Sequence, residues 1–233
     1  MGRIFITGDK HGDFSFLPLW CKQNNTTLDD ILIILGDAGI NYYGGKKDKR
    51  IKTMISKCPI TLVCVHGNHE ARPSTIPSYI LTTSPKIKCN YWVEKEYPNI
   101  IFPMDGTMEI DEKRFLILGG AYSIDKFFRI SCGYNWFSDE QMSKEDRNRI
   151  LDLIKTDNSF DYILSHTAPL SYEPKYLFLP LVDQSKVDKT MEKFLQDVYD
   201  KVRFNHWYFG HYHDDNELGE KITIVFNNYI QIL

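Results

Sequence analysis

The stretch TLVCVHGNHE, residues 61–70, joins five uncharged residues to two histidines, an asparagine and a glutamate. Thr61 to Val65 is apolar and rich in β-branched side chains, the composition of a strand covered on both faces. Ionisable and metal-binding groups therefore crowd the point where a buried strand stops. The same junction recurs along the chain. Residues 3–7 (RIFIT) run into Gly8-Asp9-Lys10-His11-Gly12-Asp13, and residues 31–35 (ILIIL) run into Gly36-Asp37. The strand read at 161–165 ends in His166, and that at 206–209 ends in Gly210-His211-Tyr212-His213. In an open α/β sheet, ligands bind in the crevice beyond the carboxyl ends of the strands. The repeated placement points to one shared site.

At 233 residues, with 42% hydrophobic and 14% aromatic side chains, the chain can bury a large core and fits one domain over 1–233. A formal charge of −3 offers no basic face to duplex nucleic acid or to an acidic membrane, while leaving room for a nucleotide at a local site. Five cysteines, at 21, 58, 64, 89 and 132, form no C-x-x-C pair. A disulfide framework or structural zinc site is not expected, and a reducing, cytoplasmic location is. Gly8, Asp9 and Lys10 interrupt the first apolar run at once, so no signal peptide is read. Apolar stretches such as 176–182 are too short to span a bilayer.

Further strands are read at 115–118, 222–226 and 228–232, and helices at about 14–24, 46–57, 139–155 and 185–202. Ser138-x-x-Gln141 has the form of a capping box opening the third helix. Val187, Met191, Phe194, Leu195 and Val198 recur at helical spacing in the fourth. The stretch 71–112 holds prolines at 73, 77, 85, 98 and 103 and reads as an irregular excursion with short strands. A βαβαβ start followed by more antiparallel strands argues for a mixed, layered α/β fold.

Asp9-x-His11 and His211-x-His213 each space two donors by two residues, which in extended backbone turns both toward the crevice. With Asp37, Asn68 and His166 they make seven donors of carboxylate, imidazole and amide type. Such donors suit Mn²⁺, Fe or Zn²⁺ rather than a thiolate-seeking metal. Seven exceed one four-coordinate site. If Asp37 is shared, they serve two metals roughly 3.5–4 Å apart, a clamp for in-line displacement at phosphorus.

The ordered blocks D-x-H, G-D, G-N-H-E, H and G-H-x-H, running from Asp9 to His213, resemble the calcineurin-like metallophosphoesterase superfamily, in particular its small bacterial and phage-type members. The resemblance implies a four-layer αββα sandwich with mixed β-sheets and a dinuclear metal-dependent phosphatase or phosphodiesterase. It implies that Asp9, His11, Asp37 and His213 hold one metal, and that Asp37, Asn68, His166 and His211 hold the other. Asp37 would bridge the two, and a hydroxide between them would attack phosphorus without a covalent intermediate. His69 matches the general acid for the leaving group. Two divalent ions are implied, Mn²⁺ foremost, with Fe, Zn²⁺, Ni²⁺ or Co²⁺ also suited to the donors. A phosphorylated small molecule or nucleotide is the expected substrate. The alternatives are a Ser/Thr protein phosphatase and an inactive binding or scaffold protein that keeps the fold.

One departure stands out. Relatives that act on phosphoproteins extend the second block as G-D-x-x-D-R-G, whereas this chain reads Gly36-Asp37-Ala38-Gly39-Ile40-Asn41-Tyr42. Both charged groups are missing, leaving the support of His69 and the grip on phosphate unassigned. The segment Gly119 to Arg129 is either a pocket wall or a surface loop packed by its own aromatics. As a wall it would supply Tyr122, Lys126 and Arg129 as substrate contacts beside Asn68. His66 reads as a packing residue beside the site, and His206 as a core or edge residue. Glu70 either orients His69 or caps a turn, and Asp13 caps a helix beginning near Phe14. Lys46, Lys47, Lys49 and Arg50 read as a solvated helix face.

Overall fold

The computed structural model describes residues 2–233. In chain order its first half runs β1 (Ile4–Thr7), α1 (Leu17–Asn24), β2 (Ile31–Ile34), α2 (Lys46–Ile55) and β3 (Thr61–Cys64). The strands β4 (Tyr79–Thr82), β5 (Tyr91–Glu94), β6 (Ile100–Pro103), β7 (Gly106–Ile110) and β8 (Lys113–Leu118) follow. The second half holds α3 (Lys126–Ser131), α4 (Lys144–Thr156), β9 (Ser159–Ser165), α5 (Thr190–Tyr199) and β10 (Arg203–Phe209). The strands β11 (Asn216–Gly219), β12 (Ile222–Ile224) and β13 (Ile230–Gln231) complete the chain. One sheet has the order β13-β1-β2-β3-β6-β5-β4, the other β11-β12-β10-β9-β8-β7. Within them β1, β2 and β3 run parallel, as do β8, β9 and β10.

Alternation along the strands sorts the apolar side chains into three cores, and three cores separate four layers. In β2, Leu32 and Ile34 face α1 and α2, meeting Leu17, Cys21, Ile51 and Ile55. Ile31 and Ile33 face the other way, into a core between the sheets with Phe115, Ile117, Leu164 and Tyr208. Beyond the second sheet, Leu116, Ile163 and Trp207 pack on Ile150 and Ile154 of α4 and on Met191, Leu195 and Val198 of α5. Each such burial contributes roughly 1.5–3 kcal/mol, enough to hold strands of only four residues between two covers. This is the αββα sandwich with mixed sheets that the resemblance implied.

Several boundaries differ from the sequence reading. The third helix begins at Lys144 rather than near 139, because Ser143 is its cap and accepts from the Asp146 amide. Ser138 and Gln141 belong to the preceding turns. The first helix begins at Leu17, not near Phe14, with no side-chain cap. Asp13 instead accepts from the amide and hydroxyl of Ser15, closing a local turn. The last helix spans Thr190–Tyr199, the residues before it forming short 3₁₀ turns. The proline-rich excursion contains β4, β5 and β6, which widen the first sheet, and β7, which forms the edge of the second. Prolines sit between these strands or at the last position of β6, where no interior ladder bond is lost.

A candidate dinuclear metal centre at the meeting edge of two sheets

The parallel strands of both sheets deliver their carboxyl ends to one edge, and the seven expected donors gather there. One ligand atom each from Asp9, His11 and His213 lies within 4.8 Å of the others, and the same holds for Asp9, Asp37 and His166. His11 Nε2 stands 3.0 Å from His213 Nε2, which in turn stands 3.2 Å from Asp9 Oδ2. His166 Nε2 lies 2.8 Å from Asn68 Oδ1 and 3.6 Å from Asp37 Oδ1. The His211 ring packs 5.0 Å from that of His166. Asp37 is central: His11, His166 and the His69 amide, which donates to its Oδ1 at 2.7 Å, surround it.

The backbone reaches this arrangement in an unexpected way. His11, Asp37, His211 and His213 all have positive φ, between 46° and 68°. The expectation of extended D-x-H and H-x-H segments is therefore wrong at three of its four residues. A left-handed residue at a strand end reverses the chain within one step, and for a side chain with a Cβ it costs of order 1 kcal/mol or more. The packing of the two sheets holds that strain at the donors. Gly67 contributes by size rather than by a special turn: a Cβ there would lie 2.0 Å from Asp37 Oδ1. At Gly36 a Cβ would lie 2.1 Å from His166 Nδ1.

Hydrogen bonds orient the donors. The backbone carbonyl of Leu35 stands 2.7 Å from His166 Nδ1, so that nitrogen donates and the Nε2 lone pair faces Asn68 and Asp37. The Asn68 amide nitrogen donates to Ser123 Oγ at 2.8 Å, turning its oxygen toward the site. Burial and the neighbouring His166 push His211 down to about 3, leaving a neutral imidazole. The hydrogen bond to Asp9 raises His213, against the opposing effect of burial. Burial alone would raise Asp9, but the hydrogen bond to His213 and the imidazoles around it hold it well below the usual carboxylate range. Buried carboxylates facing imidazoles, with one donor pair at 3.0 Å, fit divalent cations.

His69 is partly exposed on the cavity wall, 5.4 Å from the His11 ring and 6.4 Å from that of Tyr42. Burial lowers it, while Asp37 favours its charged form. One of its nitrogens also comes within ligand range of His11 and Asp37. Glu70 is fully buried and accepts from the Gly67 amide at 3.1 Å, the turn-capping alternative. His66 is buried beside Gly119, and burial keeps it neutral. His206 lies in β10, 2.8 Å from Thr223 Oγ1. Lys46, Lys47, Lys49 and Arg50 are exposed on α2.

The segment 119–129 combines both of its readings. Tyr122, Ser123, Ile124 and Asp125 line the cavity with the donors, whereas Phe127, Phe128 and Ile130 face solvent. Lys126 stands 4.1 Å over the Trp136 ring and is not part of the wall. Arg129 is 3% exposed, with its guanidinium 5.4 Å over the Tyr42 ring. Neither terminal nitrogen has a hydrogen-bond partner, and Asp125 is 4.0 Å away. At the position of the missing arginine, Asn41 is buried and accepts from Tyr79. The cavity itself, about 380 Å³, continues past the donors to Leu177, Phe178, Leu179, Gln184, Val187 and Glu192. None of these was singled out in the sequence as a site residue, because their segment has no motif.

A four-layer sandwich presenting imidazoles and carboxylates at the common edge of its sheets defines a metal-ion hydrolase scaffold. The chain belongs to the calcineurin-like phosphoesterase family, whose model matches residues 2–215. A solved crystal structure is similar over 99% of this chain and 95% of its own, with a TM-score of 0.52 and 12% identity. That likeness concerns the fold alone. No curated protein matches the chain. Family membership implies metal-dependent phosphoester hydrolysis with divalent ions. Among the described residues, no helix is long and apolar enough to cross a membrane.

Proposed function

We propose that the protein hydrolyses a phosphomonoester or phosphodiester of a small or nucleotide-like molecule, as one cytoplasmic domain using two divalent ions, Mn²⁺ foremost. The observation that carries this reading is the convergence of Asp9, His11, Asp37, His166 and His213 at one edge, with a cavity opening beside them. Asp9, His11, Asp37 and His213 would hold one ion; Asp37, Asn68, His166 and His211 the other. When bound, the pair would neutralise phosphoryl oxygens and activate the attacking water.

The remaining roles fall to side chains. Asn68, fixed by Ser123, stands where it can also meet a phosphoryl oxygen. His69 protonates the leaving oxygen; burial disfavours its imidazolium, and an anionic phosphate beside it favours it again. Arg129 supplies the phosphate grip absent from the second block. Its guanidinium is buried without hydrogen bonds next to Tyr42, a state that an incoming oxyanion would relieve. Tyr122 forms a flat wall for the organic part, and Lys126 steadies that wall through Trp136.

The test is hydrolysis of p-nitrophenyl phosphate and its bis-ester by the full chain loaded with Mn²⁺. Turnover of at least one, lost on chelation and in Asp37→Asn, is expected. No metal-dependent hydrolysis of either would favour a scaffold that kept the fold.

A further inference from the structure

The cavity has two chemically different ends. One carries the carboxylates and imidazoles. The other is built from two connections, residues 122–124 and 177–189, whose Tyr122, Ile124, Leu177, Phe178, Leu179 and Val187 outnumber the polar Gln184 and Lys189. At about 380 Å³ it lies within the roughly 300–1,000 Å³ range of small-molecule pockets, too large for a phosphate alone. Into this apolar wall the first turn of α5 sets a carboxyl group.

That carboxyl belongs to Glu192, 4% exposed. One oxygen accepts from Thr167 Oγ1 at 2.9 Å, and the other has no partner. The neighbours that could serve it are engaged elsewhere. Lys189 pairs with Glu173 and stands 4.7 Å over the Phe178 ring, and Tyr212 OH lies 3.2 Å from Thr167 Oγ1. Burial pushes Glu192 up to about 7. A buried acceptor left unpaired destabilises the fold, a cost that a bound donor removes.

We infer that this end of the cavity receives the flat base of a leaving nucleoside, and that Glu192 accepts from the exocyclic amino group of that base. The inference rests on the phosphoesterase reading, since it makes the nucleoside the organic part of the ester. A flat ring satisfies the aromatic and aliphatic walls, whereas a polyol would strand several hydroxyls against them. A site built around a buried acceptor discriminates strongly against analogues that lack the donor.

The test uses nucleosides without phosphate, so that binding is read apart from turnover. Adenosine, guanosine and cytidine are titrated calorimetrically into the full chain, each beside the N,N-dimethyl form of its exocyclic amine. At least one parent nucleoside should bind tenfold or more tightly than its methylated form, and Glu192→Leu should erase that preference. Glu192→Met carries the same test should the leucine variant not fold. Equal binding of every pair, no binding of any nucleoside, or a preference that survives both substitutions overturns the inference. Hydrolysis of p-nitrophenyl phosphate without the preference leaves the phosphoesterase reading standing and this one fallen. The preference without hydrolysis keeps Glu192 as a reader of the base and overturns its place in a leaving-group site.

Discussion

The two ends of the cavity are made from different kinds of chain. The donor end comes from short loops directly after β1, β2, β3, β9 and β10, strands whose last residues are buried between layers. The recognition end comes from long connections with little regular structure. These are a six-residue helix, α3, exposing Phe127 at 72%, and a run of 3₁₀ turns in which Leu181 is wholly exposed. At the donor end, four residues are held at positive φ by packing that leaves no alternative. At the recognition end, the buried carboxyl of Glu192 keeps one oxygen without a partner. The donor end is shaped by the sheets that carry it, and the recognition end by connections folded over their edge.

That contrast can be broken at the donor end by adding a single carbon. Gly67→Ala would bring a Cβ 2.0 Å from Asp37 Oδ1 and displace the central carboxylate. Metal affinity and kcat should each fall ~100-fold or more, as for changes that disturb the orientation of a ligand. Metal titration and steady-state kinetics check this, and wild-type values would mean that Asp37 is not held by close packing.

Beside Tyr42, removing a charge should help the ligand-free protein and harm the complex. Arg129→Met deletes a buried cation without hydrogen bonds. Loss of such a group is worth about 1–4 kcal/mol to the ligand-free fold, so Tm should rise by several degrees. KM for p-nitrophenyl phosphate should rise about tenfold, since a charge-assisted hydrogen bond contributes roughly 1.5–3 kcal/mol. A fall in Tm with KM unchanged would make Arg129 a structural residue.

A third effect is on pH dependence. The Glu192 carboxyl is raised from 4.5 to about 7 by burial, so the folded state binds its proton more tightly than the unfolded chain. Stability is therefore lost as pH rises from 4.5 toward 7, and the loss is complete above that. Glu192→Gln has no such term. The Tm advantage of the variant should grow between pH 5 and pH 8 by the equivalent of on the order of 3 kcal/mol. A constant difference across that window would place the Glu192 carboxyl in water.

The strands of the two central layers were legible because full burial on both faces demands continuous apolar runs such as 31–35 and 60–65. The donors were legible because polar residues at the ends of such runs have no structural use. The edges were less so. Strands β4 and β5 have exposed or half-buried residues and interleaved prolines, and the start of α4 was misplaced because Ser138 imitates the cap that Ser143 provides. The extended D-x-H and H-x-H segments failed for a different reason: backbone handedness is set by packing across two sheets, not by spacing.

The sequence by itself determined the donors, their order and the layers that carry them, since burial periodicity and ligand chemistry are both written in residue types. Only the tertiary structure decided which residues face those donors. Arg129 reaches Tyr42 from a helix 87 positions further along the chain, and Glu192 enters the cavity wall from α5. Both depend on how connections fold over the sheet edge. The segment around Arg129 could be singled out in the sequence, but its seat over Tyr42 and the entry of Glu192 could not, because neither contact is local in the chain.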